Sequence, residues 1–314
     1  MAAIAIEPVE AADVRRVAGY YELVEVAWGE ARGSAPRPVR WPVLPPPAQA
    51  RTWVAREPAP GGGERLLGLV CARPAPGMNM LEFLYARPGP ERGDTVVALV
   101  RSARAWLRER DVSRVLYVAF NWWRTEPFAP DLVAPLAALG MRRLEGVYLA
   151  YDLRAGAPAP APVPTGYRVV PWEDGWFEQA CAMMLRSPEP DPIYWDMGLC
   201  RRSIEGAAAP GGCMFPGGLG QLALAPGGEL AAFSLATVRG YINHVYTAPE
   251  HRGRGLGAAV LTRVLGAIAE RGLERATILT HDNNPGAIRL YRRLGFELEF
   301  TFPQFFERWE EEPS

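Results

Sequence analysis

A proline-rich segment divides this chain into two parts. Residues 155–165 have the sequence AGAPAPAPVPT, and alternating alanine and proline form neither a helix nor a central strand. Such a segment is typical of a semi-rigid, extended spacer. For a chain of 314 residues we therefore predict two domains, residues 1–155 and 166–314, joined by a linker at residues 156–165.

The composition argues against several classes of protein. All 34 basic residues are arginine, 35 residues are acidic, and the net charge of −1 lacks the basic field of a nucleic-acid-binding protein. No apolar run approaches the ~20 residues that span a membrane, and residues 4–9 are predicted as a strand rather than a signal peptide. We expect a cytoplasmic protein, monomeric or weakly dimeric, with neither nucleic acid nor membrane as its partner.

The cysteine spacing gives no indication of a metal site. The four cysteines form no Cys-x-x-Cys pair, and the chain has only three histidines. We therefore expect no metal ion. The thiols are interpreted as reduced packing residues, namely Cys71, Cys181, Cys200 and Cys213.

The second half of the chain predicts an alternation of strands and helices. Strands are predicted at residues 167–171, 219–224, 230–239, 241–247, 276–280 and 296–306. Helices are predicted at residues 176–185, 193–204 and 255–271, followed by a short helix that begins at Asn284 and stops at Gly295. Apolar residues recur at four-residue spacing in the long helix, at Leu256, Val260, Val264 and Ile268, which indicates one buried face.

The first half repeats this order of elements with few identities. It predicts a strand at 80–85, a helix at 96–107, a strand at 115–120, a helix at 132–139 closed by Gly140, and a strand at 144–153. Repetition of one supersecondary plan predicts a duplicated domain.

Residues 252–258, Arg-Gly-Arg-Gly-Leu-Gly-Ala, join a strand to the long helix and are called the glycine loop below. Glycine permits a tight turn that exposes backbone N–H groups at a helix N-terminus, where the helix dipole favours an anion such as a pyrophosphate. A solvated Gly/Arg turn is the alternative. A dinucleotide-binding fingerprint is disfavoured because a polar, proline-containing stretch separates the loop from its strand, and the Gly-Lys-Ser/Thr run of a P-loop is absent.

The glycine loop belongs to a longer pattern of residues at fixed spacing. Its members, in order, are Arg252, Gly255, Gly257, Asn284, Tyr291, Gly295 and Phe296. This pattern, with the local runs at residues 245–252 and 284–291, resembles the Gcn5-related N-acetyltransferase (GNAT) family over residues 167–306. The resemblance implies an α/β (α+β) fold of two tandem GNAT-like domains, each a twisted mixed β-sheet flanked by helices.

The resemblance also implies an acetyl-coenzyme A site, without a metal, in the second half. In the family the loop binds the pyrophosphate, and the preceding strand binds the pantetheine arm through its backbone. The asparagine contacts a pantetheine amide, and the tyrosine hydroxyl reaches the thioester sulfur as general acid. The implied catalytic residue is Tyr291, and the implied coenzyme-binding residues are Val245, Tyr246, Thr247, Arg252, Gly253, Arg254, Gly255, Leu256, Gly257, Ala258, Asn284, Ala287 and Tyr291.

Several of these assignments have a structural alternative. Asn284 is also explained as an N-cap, Tyr291 as a half-buried packing residue, and Arg254 as a solvated side chain. The seven residues from Asn284 to Tyr291 make about two helical turns, so both side chains are expected near one helix face.

The general base is left open by the sequence. A lysine-like amine is protonated at neutral pH and must lose a proton before it attacks. Some GNAT proteins have Glu or His at the positions of Tyr241 or Asn243, and neither residue here is a good base. Strand alternation directs His244 to the opposite face of the sheet, where we interpret it as a packed histidine. The remaining candidates are His281, Asp282 and a water relay.

The expected function is transfer of an acetyl group from acetyl-coenzyme A to a primary amine of a small molecule or peptide, by direct attack in a ternary complex. A non-catalytic acyl-coenzyme A sensor or scaffold is the alternative, although a pure binder has no use for a proton donor such as Tyr291. The tandem layout also resembles mycothiol synthases, which implies an amino-sugar or thiol-containing acceptor as an alternative substrate.

The first half is predicted to be a degenerate GNAT-like domain without a coenzyme site. Alignment of the strand ends of the two halves puts Glu91 at the position of Arg252 and Asp94 at that of Gly255. Asp94 is expected to cap a helix that begins near Thr95. We expect this domain to help shape the acceptor cleft with a surface that includes Trp122 and Trp123; the alternative is that it only adds buried area.

Overall fold

The chain forms two compact units. The first contains Met1–Leu144 and Phe302–Ser314, and the second contains Glu145–Thr301. The computed structural model describes residues 4–10, 19–20, 22–23, 50–59, 61–75, 78–110, 112–113, 115–119, 130–186, 197–208 and 219–309.

The described residues form strands and helices in the following chain order. The strands are β1 (Ala5–Glu10), β2 (Arg51–Pro58), β3 (Glu64–Arg73), β4 (Asn79–Ala86), β5 (Val115–Ala119), β6 (Arg142–Asp152), β7 (Arg168–Pro171), β8 (Gly220–Leu224), β9 (Leu230–Ala236), β10 (Tyr241–Thr247), β11 (Arg275–His281) and β12 (Glu297–Arg308). The helices are α1 (Arg92–Arg108), α2 (Val133–Ala138), α3 (Phe177–Arg186), α4 (Met197–Ala208), α5 (Leu256–Glu270) and α6 (Pro285–Arg293).

The first unit is a mixed sheet with a long crossover helix. Strands β1 to β4 are antiparallel neighbours in chain order. Strand β4 pairs in parallel with β5, and β5 pairs antiparallel with residues 304–308 of β12. Helix α1 connects the two parallel strands, and its apolar face is buried in the core that β2, β3 and β4 supply.

The second unit has the same topology. Strands β7 to β10 are antiparallel neighbours, β10 pairs in parallel with β11, and β11 pairs antiparallel with residues 146–152 of β6. Helix α5 connects the two parallel strands, as α1 does in the first unit, and α6 follows β11. The predicted repetition and the predicted mixed sheets flanked by helices are confirmed.

Each unit takes its last strand from the other half of the chain. Residues 146–152 pair with the second unit, and residues 304–308 pair with the first. The boundaries of the compact units therefore differ from those of the predicted domains. Residues 145–155 lie in the second unit, and residues 302–314 lie in the first. Backbone hydrogen bonding between strands, which composition does not reveal, accounts for the difference.

The linker lies along α5 in the second unit. The backbone N–H of Ala161 donates to Thr262 Oγ1 at 2.9 Å, and Arg263 Nη1 donates to the carbonyl oxygen of Ala161 at 3.4 Å. The Thr262 hydroxyl in turn donates to the carbonyl oxygen of Ala258 at 2.9 Å. The spacer that the Ala/Pro composition predicts is thus bound to the helix that follows the glycine loop.

Some element boundaries differ from the prediction. Helix α1 begins at Arg92 rather than near Thr95, and β9 ends at Ala236 rather than Arg239. Strands β2 and β3 were not predicted. Both have runs of consecutive buried residues, so the apolar–polar alternation that identifies a half-exposed strand is missing from their sequences.

Some predictions concern residues outside the described ranges. These are Trp122, Trp123, Cys213, residue 120 of a predicted strand and residues 193–196 of a predicted helix. The three described cysteines, Cys71, Cys181 and Cys200, are buried, in agreement with packing thiols. Among the described helices, none combines the length and apolarity that a membrane span requires.

Candidate active site

The glycine loop turns the chain from β10 into α5. Gly253 and Gly255 have φ angles of 74° and 81°, which side chains with a Cβ rarely adopt, so glycine is needed at both positions. Gly255 is the N-cap residue of α5 and provides no side-chain cap. The first N–H groups of a helix have no partner within it, so the start of α5 offers donors to an anion.

Gly257 has a different role, because a side chain here would be crowded. A Cβ at this position would lie 3.2 Å from Leu290 Cδ2 and 3.6 Å from Thr247 Oγ1, whereas a Cβ at Gly253 or Gly255 would meet nothing within 4 Å. Gly257 therefore permits α5 to approach α6 closely. The space beside the two other glycines is open.

A groove of about 590 Å³ lies between the end of β10, the glycine loop and α6. Strand β10 pairs with β11 at Tyr241 and Ile242, whereas residues 245–247 pair with β9 and line the groove. Twelve of the thirteen predicted coenzyme-binding residues line it, namely Val245, Tyr246, Thr247, Arg252, Gly253, Gly255, Leu256, Gly257, Ala258, Asn284, Ala287 and Tyr291. The structure thus brings together two motifs that are about 30 residues apart in sequence.

The remaining predicted residue, Arg254, is exposed and is not among the residues that line the groove. This position agrees with the solvated side chain that the sequence left open. Six further residues line the groove without having been predicted, namely His251, Asn283, Pro285, Gly286, Leu290 and Arg293. His251 and Asn283 could have been predicted because they are adjacent to Arg252 and Asn284 in sequence. Arg293 could have been predicted because it lies in the last turn of α6.

The charged side chains that line the groove are all positive. The described lining residues include the guanidinium groups of Arg252 and Arg293, and no carboxylate is among them. Arg252 Nε donates to the carbonyl oxygen of Thr247 at 3.2 Å, which holds this guanidinium beside the end of β10. Together with the N-terminus of α5, these cations suit a polyanionic guest such as a pyrophosphate.

Asn284 is the N-cap residue of α6, as the sequence predicted. Its Oδ1 accepts a hydrogen bond from the backbone N–H of Ala287 at 3.2 Å, and Pro285 occupies the first helical position. The capping bond engages the carboxamide oxygen, so the two Nδ2 hydrogens are the donors that Asn284 can direct to a groove ligand. The two explanations of Asn284 are compatible.

Tyr291 lines the groove and is only 5% exposed. Its ring lies 5.9 Å from that of Phe296, measured between centroids, within the core beneath α5 and α6. Burial raises the pKa of its hydroxyl above the ordinary value of a tyrosine. The side chain is therefore a neutral phenol at physiological pH and can donate a proton, but it is unsuited to be a base.

His244 is a packed histidine, as predicted. It is 2% exposed, and its ring centroid lies 6.3 Å from that of Phe233 and 6.1 Å from that of Tyr246. Its Nε2 lies 3.2 Å from Asn243 Nδ2 and 3.4 Å from Ser203 Oγ. Burial lowers the pKa of His244 to about 4, so the ring is neutral at pH 7.

The two base candidates at the end of β11 are not among the residues that line the groove. Asp282 Oδ1 accepts a hydrogen bond from the backbone N–H of Glu145 at 3.1 Å, and the Asp282 N–H donates to the carbonyl oxygen of Glu145 at 2.9 Å. His281 is 7% exposed, and its carbonyl oxygen accepts from the Asn284 N–H at 3.0 Å. Both residues have structural roles at the point where β11 passes into α6.

A second groove in the same unit, of about 670 Å³, is less suited to an anion. Its charged residues are largely paired with each other, since Asp152 binds Arg154 and Arg275 binds Glu299. It also lacks a helix N-terminus with positive-φ glycines. The groove beside the glycine loop is therefore the candidate active site.

The first unit has a different arrangement where α1 begins. The N-cap residue is Glu91, without a side-chain capping bond, so the prediction that Asp94 caps a helix near Thr95 was wrong. Asp94 is exposed in the first turn, where its charge is favourable to the helix dipole. One position after Glu91, aligned with Gly253, Arg92 is 6% exposed and its Nη1 donates to Asp131 Oδ2 at 3.0 Å.

Comparison with known proteins identifies a family for the second unit. Residues 215–296 match the model of the acetyltransferase (GNAT) family. The mycothiol acetyltransferase of Thermobispora bispora is 31% identical over 175 residues, which cover 51% of this chain and 56% of that protein. The first curated relatives are matched over 32% to 56% of their own length.

Solved structures share the fold over nearly the whole chain. A GCN5-related N-acetyltransferase from Sphaerobacter thermophilus has a TM-score of 0.63 at 20% identity, with 97% of this chain and 95% of that chain covered. A tandem GNAT protein from the clavulanic acid biosynthesis pathway has a TM-score of 0.52 at 20% identity, with 99% and 100% covered. This likeness concerns the fold, and it confirms the predicted tandem of two GNAT-like domains.

Proposed function

Since residues 215–296 form a domain of the acetyltransferase (GNAT) family, we propose that this chain transfers an acetyl group from acetyl-coenzyme A to a primary amine. The acceptor is a small molecule or a peptide. The observation that carries the proposal is the groove beside the glycine loop, whose lining combines cationic side chains, the N-terminus of α5 and the buried phenol of Tyr291.

The residues of the groove fit the coenzyme by their chemistry. The N-terminus of α5 and the guanidinium of Arg252 suit the pyrophosphate. The backbone of residues 245–247 and the Asn284 carboxamide offer polar partners along an extended amide-containing chain such as pantetheine. Tyr291 lies farther along the same groove wall, on α6.

The proposed reaction is a direct attack of the amine on the thioester. The thioester supplies an electrophilic carbonyl carbon, so a C–N bond forms as the C–S bond breaks. Tyr291 donates its hydroxyl proton to the leaving sulfur, and the attacking nitrogen releases one proton. Burial that raises the pKa of Tyr291 disfavours a phenolate as well as a thiolate, so the transfer to sulfur is proposed to be coupled to return of a proton to the phenol oxygen through water.

The proton of the amine is proposed to leave through water. Neither His281 nor Asp282 lines the groove, and the Asp282 carboxylate is engaged with the backbone of Glu145. These positions favour a water relay over a direct side-chain base. The sulfur then keeps the proton from Tyr291, and the phenol is restored from solvent.

An amino-sugar acceptor that carries or later receives a thiol is the first substrate class to test. The mycothiol acetyltransferase of Thermobispora bispora matches this chain over 175 residues, more than one domain of it. The first half of the chain is proposed to bind no coenzyme and to help form the cleft that binds the acceptor. A non-catalytic acyl-coenzyme A sensor is the alternative, and the buried phenol in the groove favours the enzyme.

Release of free thiol tests the proposal. The protein is incubated with acetyl-coenzyme A and a panel of amino sugars, polyamines, amino acids and peptide N-termini, and thiol is followed with a chromogenic disulfide. An enzyme gives amine-dependent thiol release that Tyr291→Phe strongly reduces. Coenzyme binding without thiol release for any amine supports the sensor, and absence of coenzyme binding contradicts both functions.

A further inference from the structure

Three residues from separate segments meet beside the glycine loop. His251, at the end of a 3₁₀ turn over Pro249–His251, directly precedes Arg252 and lines the groove. Its Nδ1 lies 3.0 Å from the hydroxyl oxygen of Tyr167, and the two rings are perpendicular with centroids 5.7 Å apart. Its Nε2 lies 3.8 Å from Glu229 Oε1.

The contacts define a consistent set of hydrogens. A carboxylate only accepts hydrogen bonds, so the tautomer with its hydrogen on Nε2, the nitrogen that faces Glu229 at 3.8 Å, is the one that suits both neighbours. Nδ1 then accepts from the Tyr167 O–H. The ring lies between Tyr167, which precedes β7, and Glu229, which precedes β9. The side chain of His251 is 13% exposed.

Tyr167 and Glu229 contribute unequally to the restraint on the His251 ring. Glu229 is 56% exposed, so its attraction at 3.8 Å is weakened by solvent. Tyr167 is partly buried against the core cluster that includes Leu256 and Val260 of α5, so packing of its ring restricts where its hydroxyl lies. The bond from Tyr167 is therefore the principal restraint on the imidazole ring.

This restraint acts next to a part of the chain that has few restraints of its own. Gly253 and Gly255 have open space around them and lack side chains, so ordering them for anion binding loses much conformational entropy. The backbone N–H of His251 also donates to the carbonyl oxygen of Ala248 at 2.9 Å. Both the backbone and the ring of His251 are thereby fixed immediately before the loop.

We propose that Tyr167 and His251, assisted by Glu229, are positioning residues that pre-organise the glycine loop for the pyrophosphate of the coenzyme. The inference rests on the proposed function for its ligand and on the contacts of His251 for its mechanism. Tyr167 acts through His251 and does not itself line the groove. Loss of its hydroxyl should therefore loosen the loop and weaken coenzyme binding without disturbing the remainder of the second unit.

The test compares two single-hydroxyl deletions in the second unit. Tyr167→Phe keeps the ring and removes the bond to His251. The matched control is Tyr148→Phe, which removes a hydroxyl bonded to the Thr277 side chain, away from the groove. Hydrogen–deuterium exchange of the free protein reports on loop order, and calorimetry gives the dissociation constant of acetyl-coenzyme A.

The expected result is specific to the loop. In Tyr167→Phe, amides of residues 252–258 exchange at least threefold faster and the dissociation constant rises about three- to tenfold, the range for one hydrogen bond. In Tyr148→Phe both values stay within twofold of the unchanged chain. Unchanged loop exchange or unchanged affinity in Tyr167→Phe, or an equal effect in the control, overturns the proposal.

A double-mutant cycle distinguishes positioning from a general loss of stability. In a His251→Phe background, Tyr167→Phe should have no further effect on the dissociation constant, because its bonding partner is already absent. An undiminished effect in that background overturns the proposed route through His251. If the unchanged chain fails to bind acetyl-coenzyme A, the proposed function fails, while the exchange data still decide whether Tyr167 orders the loop.

Discussion

The carboxamide oxygen of Asn284 accepts a hydrogen bond from the backbone N–H of Ala287 at 3.2 Å, at the edge of the groove beside the glycine loop. One side chain therefore caps α6 and has its Nδ2 available as a donor to a ligand in the groove. The two roles use different atoms of the side chain. Capping needs an acceptor atom, whereas the pantetheine contact needs an N–H donor on a side chain long enough to reach the ligand. Two substitutions can separate them.

Asn284→Ser should retain stability and lose coenzyme affinity. Serine is as good an N-cap as asparagine but lacks the carboxamide N–H groups, whereas Asn284→Ala loses the cap at about 1 kcal/mol as well. We expect a rise of the acetyl-coenzyme A dissociation constant in both variants and a lower free energy of unfolding only in Asn284→Ala. Unchanged coenzyme binding in both would leave Asn284 with a capping role only.

Tyr291→Phe should lower turnover by about 10²- to 10⁴-fold, the range for a positioned proton donor, and leave coenzyme affinity nearly unchanged. Burial raises the pKa of Tyr291, so its ionisation should not reduce turnover at mildly alkaline pH. Steady-state rates with an identified amine give the turnover, and calorimetry gives the dissociation constant of acetyl-coenzyme A. Turnover within threefold of the unchanged chain would show that Tyr291 is not the acid.

His244 should make the fold sensitive to acid. Its pKa is about 4 in the folded protein and about 6.5 when exposed, so the unfolded chain binds more protons between these values. Its contribution to stability is present above pH 6.5 and is lost as pH falls toward 4. From pH 7 to pH 5 this loss amounts to about 2 kcal/mol.

Denaturant unfolding at several pH values measures this effect. His244→Gln, which cannot titrate, should have a lower free energy of unfolding at pH 7 and a smaller decrease between pH 7 and pH 5. Equal decreases in both proteins would show that other groups cause the acid sensitivity.

The sequence predicted which elements carry the motif residues better than it predicted the arrangement of the strands. The motif around Arg252 and the cap at Asn284 are local patterns, so spacing alone located them on the correct elements. The exchange of β6 and the end of β12 between the units depends on pairing across more than a hundred residues, which composition and periodicity do not encode.

The restraint on His251 was not predictable for the same reason. Tyr167 lies 84 residues before His251 in sequence, and only the fold brings its hydroxyl to the imidazole ring. Asp94 illustrates a different limit. An acidic residue beside a threonine at a helix start has the pattern of an N-cap, but α1 extends one turn further and places Asp94 inside that turn.

Gly255→Glu should abolish coenzyme binding while the fold persists. The substitution forces a side chain into a backbone with φ of 81° and puts a carboxylate beside the groove's cations. Gly140→Glu is the matched control, since Gly140 has φ of 78°, also has nothing within 4 Å of its Cβ position, and lies in the first unit. Both variants should lose about 1–2 kcal/mol of stability, and only Gly255→Glu should lose binding.

The intact chain should bind one equivalent of acetyl-coenzyme A. The start of α1 corresponds in topology to the start of α5, but the charges differ. Arg92 is buried there, its guanidinium carbon lies 5.3 Å from the ring centroid of Tyr85, and its Nη1 donates to Asp131. Asp94 adds an exposed carboxylate in the first turn, which repels a pyrophosphate at the helix N-terminus.

Titration calorimetry gives the stoichiometry, and Gly255→Glu identifies the site that is filled. The unchanged chain should give a stoichiometry near one, and the variant should show no residual binding, because the start of α1 has a paired Arg92 and an exposed Asp94 where α5 has its glycine loop. A stoichiometry of two, or one equivalent that persists in Gly255→Glu, would place coenzyme in the first unit. In that case Arg92 would have to leave Asp131 to make room, and Asp131→Ala should then tighten the second site rather than leave it unchanged.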